Sequence, residues 1–228
     1  MKQISKYTIA TAIAILFHIV GLIGILFFKE SGFVNTTPLH LLLMAALLMY
    51  TQEKINIAFI VFFIACFTTG IIVEIVGTST GLLFGSYQYG TVLGPGYRTV
   101  PYIIGVNWFI IIYCCGIAVH TLLSDISRKL SEELERPLKR VKALSIIIDG
   151  ATLAVAFDWL IEPVAVKLGY WKWLGDGQIP MFNYISWFVV SMFLLMIFHW
   201  LPFKKQNKFA INLLLIQAMF FLLLRTFL

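Results

Sequence analysis

Four acidic side chains lie inside long apolar stretches of the sequence: Glu74, Asp149, Asp158 and Glu162. A carboxylate near the bilayer centre costs roughly 2.5–3.5 kcal/mol even on lenient insertion scales, so each needs compensation. Asp158 and Glu162 are four residues apart, which places them on one helix face about 6 Å apart along the axis. Asp149 falls on the opposite face, and we expect a structural role for it, such as a hydrogen bond to a neighbouring helix.

Glu74 also lies near the end of an apolar stretch, on the same expected side of the membrane as Asp158. Three carboxyl groups at one depth in a low dielectric cannot all ionise comfortably, so we expect at least one to be neutral near pH 7. A neutral buried carboxylic acid can donate a proton. The alternative is that these acids form interfacial salt bridges with Arg98, Lys167 or Lys172.

Aromatic and amide side chains cluster in the segments that follow these acids. Aromatic faces attract positive charge by roughly 0.5–2 kcal/mol each and offer no nucleophile to trap a carbocation. An acid beside such a pocket is what protonation of an alkene requires, and a nearby asparagine could position a water molecule. The alternative is that the aromatic residues are interfacial anchors and that Asn183 bonds a neighbouring helix. The candidate substrate-binding residues are Tyr87, Tyr89, Asn107, Trp108, Trp171, Trp173, Asn183 and Trp187.

The composition predicts the elements that position these residues. Of 228 residues, 60% are hydrophobic and only 12% are charged, which excludes a soluble enzyme. We predict an all-α polytopic bundle, a single integral membrane domain over residues 1–228. The predicted spans are 7–28, 37–51, 55–76, 102–123, 143–166, 181–201 and 208–226. The second span is short, and whether it crosses fully is left open.

The basic residues predict the orientation of the bundle. With alternating spans, twelve of the 17 Lys and Arg residues fall on one side and five on the other. The positive-inside bias then places the N-terminus and the loop 124–142 in the cytoplasm and the C-terminus outside, in a plasma (inner) membrane. The same bias accounts for the net charge of +6, so this charge does not indicate a nucleic-acid partner. The loop carries both signs of charge and Pro137, and we expect a short surface helix in it.

Two segments on the outer side resemble each other, which indicates an internal repeat. The shared pattern is an acid, ten residues, glycine, and two aromatics at alternate positions, followed by proline and tryptophan at a fixed spacing. The hairpins 55–123 and 143–201 would then be parallel copies related by a pseudo-twofold axis along the membrane normal. Convergence of interfacial loops on Gly and aromatics is the alternative. The matched pairs are Glu74 with Asp158, Gly85 with Gly169, Tyr87 with Trp171, Tyr89 with Trp173, Pro101 with Pro180, and Trp108 with Trp187.

Taken together, these motifs resemble the membrane carotenoid 1,2-hydratase family, which includes the bisanhydrobacterioruberin hydratases. The resemblance covers roughly residues 70–190 and departs from the family pattern at Glu162-Pro163, where Asp-Pro is expected, and in the short segment 91–101. The motifs are Glu74-x2-Gly77-x3-Gly81-x2-Phe84-Gly85-x-Tyr87-x-Tyr89-x3-Leu93-Gly94, Asp158-x3-Glu162-Pro163, Gly169-Tyr170-Trp171-x-Trp173 and Ile179-Pro180-x2-Asn183. The resemblance implies addition of water to the C1=C2 bond of an acyclic (ψ) carotenoid end group, as in lycopene or γ-carotene, without metal or other cofactor.

The expected mechanism agrees with the chemistry read from the residues. One acid protonates C2, the aromatic wall stabilises the cation at C1, and a second carboxylate takes a proton from the attacking water. We expect Glu74 and Asp158 to be this pair, with Glu162 as a third catalytic carboxyl group, and which is acid and which is base is left open. A carotenoid cyclase or isomerase shares the protonation step, and a non-enzymatic transporter or assembly protein also accounts for buried acids. The oligomeric state is left open as well.

Overall fold

The computed structural model describes residues 4–28, 32–134 and 139–228. The described residues form seven α-helices, each long and apolar enough to cross a membrane. The predicted all-α membrane bundle is confirmed. The helices are α1 (Lys6–Phe27), α2 (Thr37–Thr51), α3 (Ile57–Thr80), α4 (Ile103–Leu134), α5 (Lys139–Lys167), α6 (Met181–Trp200) and α7 (Lys208–Phe227).

The helices extend beyond several of the predicted spans. A 3-10 turn, Phe33–Thr36, runs directly into α2 and lengthens the short second span to 19 residues. Helix α3 continues to Thr80, where Gly81 at φ +66° ends it in the left-handed conformation that glycine tolerates. Helix α4 continues to Leu134, so the first part of the loop 124–142 extends α4 and is not a separate surface helix. Residues 135–138 lie outside the described residues.

Helix α4 is the centre of the bundle and contacts α2, α3, α5, α6 and α7. Its middle is almost wholly buried, from Trp108 to Ile117. Aromatic rings fill the space between α3, α4 and α6, where Phe62 stacks on Phe203 and packs edge-on against Phe198. The large apolar side chains exposed on the other helices are those a bilayer would cover.

Two short antiparallel strand pairs lie at one end of the bundle, beside the C-terminal ends of α3 and α5. Strands β2 (Gly96–Tyr97) and β3 (Val100–Pro101) form a tight hairpin whose turn residues, Arg98 and Thr99, both have positive φ. Strands β1 (Tyr87–Tyr89) and β4 (Trp171–Trp173) come from the two predicted hairpins and pair with each other. The sequence analysis did not predict these strands.

The β1–β4 register has the symmetry of the matched sequence pairs. Tyr87 faces Trp173, which is the sequence counterpart of Tyr89. Tyr89 faces Trp171, which is the sequence counterpart of Tyr87. The flanking bonds repeat the relation: the Gly90 amide donates to the Tyr170 carbonyl at 2.8 Å, and that of Leu174 donates to Ser86 at 2.9 Å. A local twofold axis through the ladder produces this exchange. The symmetry stops at the helices, because α4 is central whereas α6 lies at the side.

Candidate active site

A small cavity lies between the β1–β4 ladder and the ends of α3, α4, α5 and α6. We call it the acid cavity. All eleven candidate site residues from the sequence line it, together with two others that the sequence analysis missed. Its walls are Glu74, Phe84, Tyr87, Tyr89, Ile104, Asn107, Trp108, Asp158, Glu162, Trp171, Trp173, Asn183 and Trp187. The structure brings these residues together, and their catalytic roles stay predictions.

Glu74 is buried near the C-terminal end of α3 and accepts three hydrogen bonds. The hydroxyl groups of Tyr87 and Tyr89 both donate to its Oε2 atom, the latter at 2.7 Å. The indole Nε1 of Trp108, from the second turn of α4, donates to Oε1 at 3.1 Å. The compact glycine at Gly77 makes room for this arrangement, since a Cβ there would lie 3.0 Å from the Tyr87 hydroxyl. Three donors on one carboxyl group favour its ionised form.

The two tyrosines keep their protons as donors. Burial raises the pKa of Tyr87, and the neighbouring Glu74 carboxylate raises it further. Burial and the Glu74 carboxylate raise the pKa of Tyr89 in the same way. Both hydroxyl groups therefore remain protonated across the physiological range.

Glu162 and Asp158 lie one helical turn apart on α5, both with 2% of their surface exposed. The indoles of Trp171 and Trp173 donate to Glu162 Oε2 at 3.1 and 3.0 Å. The amide of Asn183, from the first turn of α6, donates to Asp158 Oδ2 at 2.8 Å and to Glu162 Oε1 at 3.3 Å. Asp158 thus accepts one hydrogen bond from the described residues, whereas Glu162 accepts three.

These contacts make Glu162, and not Asp158, the structural counterpart of Glu74. Each glutamate accepts from both aromatic residues of the strand in its own hairpin. Six residues, 81–86, separate α3 from β1, but only three, 168–170, separate α5 from β4. Because the second connection is shorter, the residue that meets the strand lies one turn later on α5. The sequence match of Glu74 with Asp158 is therefore displaced by one turn in space.

Among the described residues, no basic side chain pairs with the acids of the cavity. Lys167, Lys172 and Arg98 are all exposed, and none of the described residues that line the acid cavity is basic. The alternative of interfacial salt bridges is not what the described residues show, because tyrosine, tryptophan and asparagine donors compensate the carboxyl groups instead. Within the described part of the chain, no group of three or more His, Cys, Asp or Glu side chains is arranged to hold a metal ion.

Two tryptophans form one wall of the acid cavity. The rings of Trp108 and Trp187 stack with centroids 3.9 Å apart and planes 12° apart. A Cβ on Gly70 would lie 2.6 Å from the Trp108 ring, so only glycine leaves room for that indole. This stacked pair gives a flat, electron-rich surface against which a cation would be stabilised.

The expectation for Asp149 was wrong, and two lining residues, Phe84 and Ile104, were not predicted. Asp149 is exposed, and no hydrogen bond from its side chain is found among the described residues, so the expected bond to a neighbouring helix is not seen. Phe84 is buried at φ +65°, a conformation uncommon for a residue with a Cβ. Its place before Gly85 in the motif was the available signal. Ile104 is one apolar residue among many on α4, and no sequence signal singled it out.

The comparisons with known proteins identify a family. The family model described as carotenoid biosynthesis protein matches residues 36–228, which is most of the chain and includes every residue of the acid cavity. No curated protein and no solved structure matches the chain. With seven membrane-spanning helices and a match over this length, the chain belongs to the carotenoid biosynthesis protein family.

Proposed function

We propose that this protein hydrates the C1=C2 double bond of an acyclic carotenoid end group, using its carboxyl groups and no cofactor. The observation that carries the proposal is the acid cavity itself, in which three buried carboxyl groups face stacked indole rings with no basic side chain among the described lining residues. Family membership supports a role in carotenoid biosynthesis. An acid to form a carbocation, aromatic faces to stabilise it and polar groups to hold water are the parts that hydration of an alkene needs.

The hydrogen bonds favour Asp158 as the proton donor. Glu74 and Glu162 each accept three hydrogen bonds, which stabilises the carboxylate form of both. Asp158 accepts only the bond from Asn183 and lies one turn from Glu162, so a second negative charge there is opposed by its neighbour. A proton shared within this group resides best on Asp158.

The reaction then proceeds in two steps. Asp158 transfers its proton to C2, the π electrons form the new C–H bond, and a tertiary cation develops at C1 beside Trp108 and Trp187. Water, positioned by Asn107 or Asn183, attacks C1 and passes a proton to Glu74, which leaves a tertiary alcohol. Water bound to a carbocation is strongly acidic, so even a carboxylate stabilised by three donors is basic enough to accept that proton. Return of the proton from Glu74 to Asp158 completes the cycle.

Paired substitutions test the proposal. We expect Asp158→Asn and Glu74→Gln, each expressed in a lycopene-producing host, to lose the product that is one water heavier than the substrate. Asp149→Asn is the matched control, because it makes the same change on the same helix at an exposed position. Pigments are separated by chromatography and weighed by mass spectrometry, with membrane insertion checked by immunoblot.

Each outcome has a defined meaning. Full hydration by both Asp158→Asn and Glu74→Gln would refute the assignment of these residues. A wild-type product of unchanged mass but altered retention time would replace hydration by cyclisation or isomerisation. Loss of activity in Asp149→Asn equal to that in Asp158→Asn would show a general effect of removing an acid from α5.

A further inference from the structure

A second cavity adjoins the acid cavity on the side of α1, α2 and α7. This apolar cleft is bounded by α1, α2, α4, α5 and α7. It shares three wall residues with the acid cavity, namely Ile104, Asn107 and Trp171, so the two spaces are neighbours across a single layer of side chains. Aliphatic and aromatic residues make up most of its wall. They include Ile25, Phe33, Leu41, Leu93, Phe157, Ile161, Phe220 and Phe221.

Four polar side chains in the wall of the cleft make hydrogen-bonding contacts there. His18 contacts the Ala14 carbonyl through Nδ1 at 2.7 Å, and its Nε2 lies 3.3 Å from Nε2 of His40. On the other side, the hydroxyl groups of Thr37 and Tyr170 bond each other at 2.8 Å. The side chains of Asn107 and Gln217 also line the cleft, so its wall is mostly but not wholly apolar.

A groove on the outside of the bundle leads towards this cleft. The groove runs between α1 and α7 and is lined by exposed or half-buried apolar side chains such as Ile15, Ile19 and Leu215. It shares His18 and Phe220 with the apolar cleft. Those two rings meet edge to face, with centroids 5.3 Å apart, and form the partition between groove and cleft. Since His18 lies near the middle of α1, the partition is at mid-membrane depth.

We propose that the groove and the apolar cleft are the entry path and binding site for the polyene chain of a carotenoid dissolved in the bilayer. The chain enters sideways between α1 and α7, passes the His18–Phe220 partition and places its end group in the acid cavity. This inference rests on the proposed function for the identity of the reacting end group. Its structural basis is the series of shared wall residues, which joins the lipid-facing surface to the carboxyl groups through mostly apolar space.

Helix α1 controls this path although it contributes nothing to the acid cavity. It lies outside the segment that the family model matches, yet it supplies His18, Gly21 and Ile25 to the cleft. Gly21 is the position at which the path can be closed. A Cβ placed there would lie 3.8 Å from the ring of Phe220, an ordinary contact, so alanine fits and a larger side chain must project into the path.

The experiment compares a blocking variant with a matched control in lipid nanodiscs loaded with lycopene. We expect Gly21→Phe to reduce hydration at limiting lycopene by at least about tenfold. Leu16→Phe should stay within about twofold of the wild-type rate. Leu16 is on the same helix, 57% exposed and outside the cleft, so Leu16→Phe adds a ring where lipid alone is displaced. Gly21→Leu gives a smaller block if Gly21→Phe does not insert.

A binding measurement separates this inference from the proposed function. The Asp158→Asn variant should retain lycopene through purification, measured as visible absorbance per mole of protein, and adding Gly21→Phe should remove most of it. If the wild type hydrates nothing but Gly21→Phe still abolishes pigment retention, the path stands and the proposed function falls. If Gly21→Phe, correctly inserted, retains pigment and rate like the wild type, or if Leu16→Phe loses both equally, the path is refuted.

Discussion

At the scale of single residues, the two halves of the acid cavity hold their glutamates with different donors. From the strands of the ladder, two tyrosine hydroxyls donate to Glu74, whereas two indole N–H groups donate to Glu162. A hydroxyl can donate and accept and so can relay a proton, but an indole only donates. In the proposed mechanism, Glu74 is therefore suited to exchange protons with bound water, and Glu162 is suited to remain a fixed negative charge opposite the developing cation.

Removing one hydroxyl tests the tyrosine pair. We expect Tyr89→Phe to slow hydration about 10- to 100-fold, because a hydrogen bond to a charged group contributes roughly 1.5–3 kcal/mol. Tyr102→Phe is the control, since Tyr102 is about half exposed and its hydroxyl donates to nothing among the described residues. The measurement is the initial rate per mole of inserted protein. A wild-type rate in Tyr89→Phe would show that Glu74 does not depend on this donor.

The same tyrosines predict an alkaline weakness. Their pKa values are raised in the folded state by burial and by Glu74, so below about pH 10 both are protonated whether the chain is folded or not. Above about pH 10 the unfolded chain releases these protons and the folded chain does not, so the free energy of unfolding falls as the pH rises. We expect the Tyr87→Phe, Tyr89→Phe double variant to lose less stability between about pH 9 and pH 11 than the wild type. Stability is measured by thermal unfolding in detergent. Equal losses of stability in the two proteins would contradict the raised pKa values.

The sequence predicted these residues better than it predicted their contacts. Acid and aromatic spacings were enough to select the lining of the acid cavity, because helix ends and adjoining loops of parallel hairpins meet at one edge of the membrane. Two things were not predictable. The equivalence of Glu74 with Glu162 depends on the length of the connection to each strand, and the aromatic residues bind the acids through hydroxyl and indole groups as well as presenting ring faces.

At the scale of elements, a proline fixes how α5 meets α7. Pro163 lies inside α5 and has no N–H, so the Trp159 carbonyl one turn earlier lacks its helical partner. Arg225 of α7 supplies the missing donor: its Nη1 lies 3.0 Å from that carbonyl. Its guanidinium also lies 3.8 Å from the centroid of the Trp159 ring. The residue that follows Glu162 therefore also docks the last helix against the helix that carries two of the acids.

A double-mutant cycle measures this docking. Arg225→Met should lower the free energy of unfolding by about 1–2 kcal/mol through the lost hydrogen bond, and by about 0.5–1 kcal/mol through the lost ring contact. In a Pro163→Ala background, residue 163 donates to the Trp159 carbonyl itself, so only the ring contribution should remain. The readout is the thermal unfolding midpoint of the four proteins in one detergent. Identical losses in both backgrounds would show that Arg225 does not satisfy this carbonyl.

At the scale of the whole molecule, a locally symmetric ladder sits on an asymmetric bundle. The ladder and its two glutamates follow a twofold relation. Asp158 and Asn183 break it, because the corresponding positions of the first hairpin are Gly70 and Ile104. Hydropathy predicted the seven spans, because each is apolar enough to be recognised alone. The hydropathy pattern could not predict that α1, α2 and α7 enclose the apolar cleft. The packing of helices depends on the shapes of individual side chains, which hydropathy does not distinguish.

The orientation of the bundle decides which side supplies the reacting water, and it can be tested directly. The residues of the acid cavity lie at one end of the bundle, and Lys6, Gln52 and Lys204 lie at the other. At that other end, Lys6 donates a hydrogen bond to the Gln52 carbonyl, and the Gln52 side chain donates one to the Lys204 carbonyl. The surplus of Lys and Arg at that opposite end predicts that it is cytoplasmic.

We therefore expect green fluorescent protein to fluoresce when fused to the N-terminus and not to the C-terminus, and alkaline phosphatase to be active only at the C-terminus. Seven crossings require opposite results for the two termini, so the same result at both would mean that one helix, α2 being the shortest, does not cross. Reversed results would place the acid cavity on the cytoplasmic side, and the water that adds to the carotenoid would then come from the cytoplasm.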